Sequence, residues 1–278
     1  MKTSLRNIRS AVGLLAAIAV TQLAGAATII WSGTNNISVN TNWSRPGNWV
    51  GGVAPTSTDN VKFFDNGAAT PAGTTNNVVD AGFGGTIGSL QYGNTNNSHT
   101  TLISSGVTLS IAGGLTAGTE TDKGSSQQEN NAITGAGATM TMNNTLSNVT
   151  VRQCTGSGNG SLRSTLDMSG LDTFSASISN VLVGQQISTT VFRATGTLSL
   201  AKTNLLTLSG TFLVGDTGNN AGGQNLVNLG QTNAIFVDAF SVALSKALGQ
   251  VQFNSVFATP MLYLRGKTAT RVPSTSFH

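Results

Sequence analysis

Few residues in this chain are equipped to do chemistry. One cysteine, Cys154, and two histidines, His99 and His278, are its whole stock of thiol and imidazole groups. None stands at metal-ligand spacing from another, so no zinc site is expected. Cys154 reads as a small buried apolar residue, because a nucleophilic thiolate needs a basic partner and none is evident in the sequence. A Ser-His-Asp triad would have to use His99, which lies in the polar turn Asn96-Asn97-Ser98-His99, and no Gly-x-Ser-x-Gly elbow accompanies it. Asp167 and Asp172 are the closest-spaced carboxylates on the repeat strands. They are expected to face solvent or turn corners, not to flank a sugar as glycoside hydrolysis requires. Calcium is the one metal with a foothold. Asp216-Thr217-Gly218-Asn219-Asn220 mixes carboxylate, amide and glycine, but it lacks the further acids of an EF-hand loop. An ordinary Asn/Gly turn is the expectation there. No complete Gly-x-x-x-x-Gly-Lys-Ser/Thr phosphate-binding motif occurs, since Met261 stands where Gly266-Lys267-Thr268 would need its first glycine. The expectation is a chain that is not an enzyme and needs no cofactor.

Trp31, Trp43 and Trp49 hold every tryptophan in the chain. Two readings fit them. A terminal repeat must cover the open end of a stacked core, and large aromatics bury much area per residue. Exposed, the same rings would form a carbohydrate-stacking platform. The cap is the preferred reading, and Trp31, Trp43 and Trp49 are the candidate glycan-stacking residues of the other.

The surroundings of these residues read as β-structure. Glycine contributes 34 residues and only 9% of the chain is charged, while 38% is hydrophobic. That balance does not suit disorder, which combines low hydrophobicity with high net charge. Apolar residues alternate with polar ones in runs of about five, as in Leu102, Val107, Leu109 and Ile111, and Gly, Asn and Ser break the runs. Ala239 to Leu248 is the only helical candidate, and it also alternates. Self-similarity is visible: Thr165-Leu166 … Val181-Leu182-Val183-Gly184 parallels Thr197-Leu198 … Phe212-Leu213-Val214-Gly215, with the glycines 31 positions apart. Leu115-Thr116-Ala117-Gly118 reads as a copy two units earlier, and Asn148 to Gln153 falls where the unit between should end. Ala247-Leu248-Gly249 reads as a later copy. A period near 31 to 34 with short strands predicts a solenoid whose stacked turns share one core, with glycine at strand ends where a corner needs positive φ. Gly118 to Asn131 and Gly215 to Gln224 would project sideways. A β-sandwich is the alternative, since short evenly spaced strands suit it too.

The N-terminus carries Lys2, Arg6 and Arg9, an apolar run from Ala11 to Val20, and Ala24-Gly25-Ala26. That order predicts a secretory signal peptide over 1–26 and a secreted or cell-surface protein. Nothing later is long and apolar enough to span a membrane as a helix. The formal charge of +4 falls to +1 without those three cations, leaving 11 basic residues against 10 acidic. Those 11 are scattered, so nucleic acid is not an expected partner.

The run Trp31 to Phe63, with Asn42-Trp43, Gly47-Asn48-Trp49 and Asp59-Asn60-Val61, resembles the opening of bacterial autotransporter-associated β-strand repeat proteins, many of them from Verrucomicrobia and Planctomycetes. Leu206-Thr207-Leu208-Ser209-Gly210 is similar to their repeat unit, and Asn233 to Val272 to a later segment. The resemblance implies a right-handed β-helical passenger at the cell surface and implies no activity. Such proteins usually continue to a sorting tail or barrel translocator. Neither precedes His278, so a fragment or truncated product is expected, with an open solenoid end through which copies can associate. The expected organisation is a signal peptide over 1–26, a cap and first strands over 27–99, and all-β solenoid repeats over 100–278. The expected role is structural or adhesin-like. A carbohydrate-binding surface for cell-surface or extracellular polysaccharide is the first alternative, and a polysaccharide-degrading enzyme the second.

Overall fold

Alternation of apolar and polar residues places every second side chain on one face of a strand. Here those faces turn inward around a single stacked core. The computed structural model of the chain describes residues 26–33, 40–69, 72–95, 97–118, 129–153, 164–186, 194–216 and 223–267. The expected signal peptide apart from Ala26, Cys154, His278, residues 217–220 of the calcium turn and the interiors of both sideways loops lie outside them.

The strands are β1 (Thr28–Ile30), β2 (Asn60–Phe63), β3 (Asn77–Val79), β4 (Thr86–Ile87), β5 (Ser89–Tyr92), β6 (Thr100–Ile103), β7 (Thr108–Ile111), β8 (Leu115–Ala117), β9 (Glu129–Val151), β10 (Ser164–Asp167), β11 (Leu171–Gln185), β12 (Gly196–Ser199), β13 (Thr203–Leu208), β14 (Thr211–Asp216), β15 (Gln224–Leu229), β16 (Thr232–Phe236), β17 (Ala239–Leu244), β18 (Leu248–Phe253) and β19 (Met261–Arg265). Every pairing between them is parallel. A β-sandwich is built from antiparallel sheets, so that alternative falls. The fold is a β-solenoid of about seven turns.

Each full turn visits three faces. The first carries β3, β6, the start of β9, β10, β12, β15 and β18. On the second are β4, β7, the middle of β9, the start of β11, β13, β16 and β19. β1, β2, β5, β8, the ends of β9 and β11, β14 and β17 make the third. Inward residues stack like on like from turn to turn. Val61, Leu90, Leu115, Val149, Val181 and Phe212 form one such column, all buried. Each buried aliphatic side chain contributes roughly 1.5–3 kcal/mol. The column continues to Phe240, whose ring stacks on Phe212 at 4.8 Å.

The predicted repeat is in register. Thr165 pairs with Thr197, Leu166 with Leu198, and Val183 with Val214. Leu115 to Ala117 reaches Val181 to Val183 through Val149 to Val151, two turns away as read from sequence. The last copy was misplaced. Leu248 and Gly249 belong to the first face, and the counterpart of Val214 is Val242. Ala243 then follows Val242 as Gly215 follows Val214, and it too has positive φ. An alanine in a position read as glycine hid that copy.

Corners are held by buried asparagines. Asn204 donates through Nδ2 to the Ala201 carbonyl and to Oδ1 of Asn233, at 2.7 and 2.9 Å. Asn233 donates in turn to the carbonyls of Gly230 and Met261. Asn180 links to Asn148 at another corner, where both are half-buried. Buried amides stay only where their hydrogen bonds are met, so these ladders fix where each strand ends. In the last described turn the inward columns reach Val242, Phe253 and Leu264, which are 38–43% exposed among the described residues.

Gly184 gives the sharpest test of the corners. Its φ is +65°, and a Cβ there would sit 1.7 Å from Asn225 Oδ1, which accepts the Gly196 N–H. Gly184→Ala should lower stability by more than ~1 kcal/mol, through both backbone strain and the displaced amide. Gly84 has open space around it, and Gly84→Ala should be neutral or slightly stabilising. Urea midpoints of the two variants check this.

Candidate functional site

Three places could carry function: the aromatic end, the corners and the outer faces. At the aromatic end β1 and β2 bring Trp31 and Phe63 together, and a 3-10 turn at Pro46–Asn48 carries Trp49 inward. Trp31 and Trp43 are fully buried and Trp49 is 2% exposed. Trp49 meets Trp31 edge-on at 4.9 Å and Trp43 at 5.5 Å. Two indole N–H groups are satisfied internally: Trp43 Nε1 donates to Asn77 Oδ1 and Trp49 Nε1 to the Trp43 carbonyl, both at 2.9 Å. Rings so enclosed offer no face to a sugar. Trp31, Trp43 and Trp49 are therefore corrected from candidate glycan-stacking residues to core residues at the first turns.

His99 was read as part of a polar turn, yet it is fully buried against Phe63, 5.0 Å between ring centroids. Nε2 donates to the Phe64 carbonyl at 2.6 Å, and Asn76 Nδ2 donates to Nδ1 at 3.2 Å. The ring is thus the neutral Nε2–H tautomer. Burial pushes its pKa down to about 4, against smaller opposing effects of the Phe64 carbonyl and the Asp65 carboxylate. Beside it Tyr92 hydrogen-bonds Thr101 Oγ1 at 2.5 Å, and burial raises the phenol above its ordinary pKa. Both partners of the His99 ring come from the preceding turn, so the local sequence gave no hint of them.

The acids hold local structure, two through the backbone and one through a side chain. Asp167 accepts the Ser169 N–H at 2.9 Å, and Asp172 accepts the Gly137 N–H at 2.6 Å. Asp216 accepts the Ser245 hydroxyl at 3.2 Å. Among the described residues no group of three or more His, Cys, Asp or Glu side chains stands together to hold a metal ion. Nor is any helix among them long and apolar enough to cross a membrane.

The second face carries the most regular outer surface. Thr108, Thr139, Thr173, Thr203 and Thr232 form one outward column. Ser110, Thr141, Ser175 and Leu205 form the next, and Asn143, Ser177 and Thr207 a third. Ser110 and Thr141 hydrogen-bond each other at 2.9 Å. No charged side chain interrupts these columns over the turns named, and the third continues through Phe236 to Arg265 in the last described turn. The signal is present in sequence as Thr-x-Ser or Thr-x-Thr at 108, 139 and 173. Comparison with family models, curated proteins and solved structures returns no match.

His99 makes stability pH-dependent. The unfolded chain takes up a proton there near pH 6.5, the folded one only near 4. Between those values the unfolded state holds more protons, so stability falls as pH drops and levels off below 4. The loss reaches up to ~3 kcal/mol at pH 4. His99→Gln should remove this component: the difference in urea midpoint between variant and parent should shrink steadily from pH 7 to pH 4.

Proposed function

We infer that this chain is a non-enzymatic display scaffold, an exported passenger-like solenoid that presents connecting segments along one corner. The observation that carries the reading is where chain length is spent. Third-face strands are joined to the next first-face strand by seven to twelve residues, between β8 and β9, β9 and β10, β11 and β12, and β14 and β15. Second-face strands are joined to the third face by two residues between β13 and β14 and again between β16 and β17. Length at a surface corner is tolerated cheaply, since loop closure grows only slowly with length. Loops carried on a rigid scaffold are a common seat of binding. A pure spacer fits less well: about seven turns at ~4.8 Å rise only ~34 Å, less than twice the ~20 Å width of a six-residue strand.

Export to the medium or cell surface rests on the basic, apolar and small-residue order of 1–26. Kinship with autotransporter-associated repeat proteins rests on the Trp31 to Phe63 motif and the Leu-Thr-Leu-Ser-Gly phrase. Association of copies rests on the apolar side chains exposed in the last described turn, Val242, Phe253 and Leu264.

Insertion tolerance tests the display reading. A short Gly/Ser segment placed between Gly158 and Asn159 should change the unfolding free energy by less than ~1 kcal/mol. The same segment between Ser209 and Gly210 should destabilise strongly, because it would break the link's backbone hydrogen bonds, Ser209 N–H to the Ile178 carbonyl and Gly210 N–H to the Ser179 carbonyl, both at 2.9 Å. Equal sensitivity at both sites would end the reading.

A further inference from the structure

We propose that the outer surface of the second face binds an uncharged polysaccharide running parallel to the solenoid axis. The site is a depression of ≈ 420 Å³ lined by Thr141, Asn143, Ser175, Ser177, Leu205 and Thr207. It spans β9, β11 and β13, three consecutive turns. Its volume lies in the range of ligand sites, roughly 300–1,000 Å³.

The chemistry selects the ligand. Four hydroxyls and an amide each donate and accept, matching the dual character of sugar hydroxyls. With no acid or base among the six residues, an ionic ligand would find no counter-charge. Leu205, in the outward row with Thr141 and Ser175, is 37% exposed and supplies an apolar contact for the C–H face of a pyranose. The spacing selects the direction. Successive turns are ~4.8 Å apart, close to the length one sugar adds to an extended chain. A glycan laid across the turns would therefore meet one row of the grid per sugar, in phase over Asn143, Ser177 and Thr207. The concavity and the leucine break the flat all-hydroxyl lattice that an ice surface would require. The buried tryptophans take no part. The site also lies away from the corner that carries the long connections, so display and glycan binding stand or fall separately.

Affinity electrophoresis of the full chain in gels holding neutral glycans tests this: a β-1,4-glucan, a β-1,3-glucan, an α-glucan and a mannan. At least one should retard the chain. Ser175→Arg and Thr207→Arg, both on the outer surface, should each weaken that retardation at least tenfold. Thr116→Arg on the third face should leave it unchanged, and equal urea midpoints will show that all three variants are folded. Absence of retardation in every gel overturns the proposal. So does retardation that survives both depression variants, retardation by uronate polymers alone, or faceting of ice crystals in place of glycan binding.

Discussion

The parallel backbone ladder is the constraint on which everything else in this molecule depends. Each turn must hand its hydrogen bonds to the next in fixed register. A slip of one residue would send every inward side chain to the solvent. Two consequences follow. Core residues must be tolerable as stacks of themselves, which explains columns such as Val61 to Phe212. Corners must also recur at the same place, which explains why glycine and asparagine, the residues of positive φ and local hydrogen bonding, are so frequent. Charge is scarce for the same reason: a charged column would place like charges one strand spacing apart over several turns.

Because register repeats, much of the fold was legible. The Thr-Leu openings at 165 and 197 and the closing glycines at 184 and 215 are the ladder written in sequence. The reading failed at the last turn, where it took Gly249 as the closing residue although Ala243 occupies that place in the corner. Positive φ is imposed there by the ladder and not by residue type, so a rule keyed to glycine misses it. The aromatic cap was legible as burial, since three tryptophans in a chain with 6% aromatic residues must find a core.

The candidate sites were less legible because they are relations between turns. His99 is neutral and enclosed only because Phe64 and Asn76 arrive from an earlier turn, 35 and 23 residues away. Asn131 then receives the His99 backbone N–H from the turn after. The local phrase Asn-Asn-Ser-His looks like a surface turn, and nothing nearby corrects that impression. The hydroxyl grid poses the same difficulty in reverse. Each Thr-x-Ser segment looks like the bland outer side of a strand, and only stacking makes it a surface.

That stacking gives outward residues a property that single strands lack. A side chain on an isolated strand is a point; on a solenoid it is one member of a row repeated at the strand spacing. Substituting Ser175 therefore changes a row that includes Thr141 and Leu205, not a solitary contact. Such a surface gains affinity by repetition, each weak hydroxyl contact being reproduced one turn on. Its natural ligands are themselves periodic polymers. Binding energy then grows with the number of turns engaged, and the rigid ladder removes the ordering cost that a flexible array of the same groups would incur. The feature that builds the core and the feature that would read a polymer are thus one and the same register.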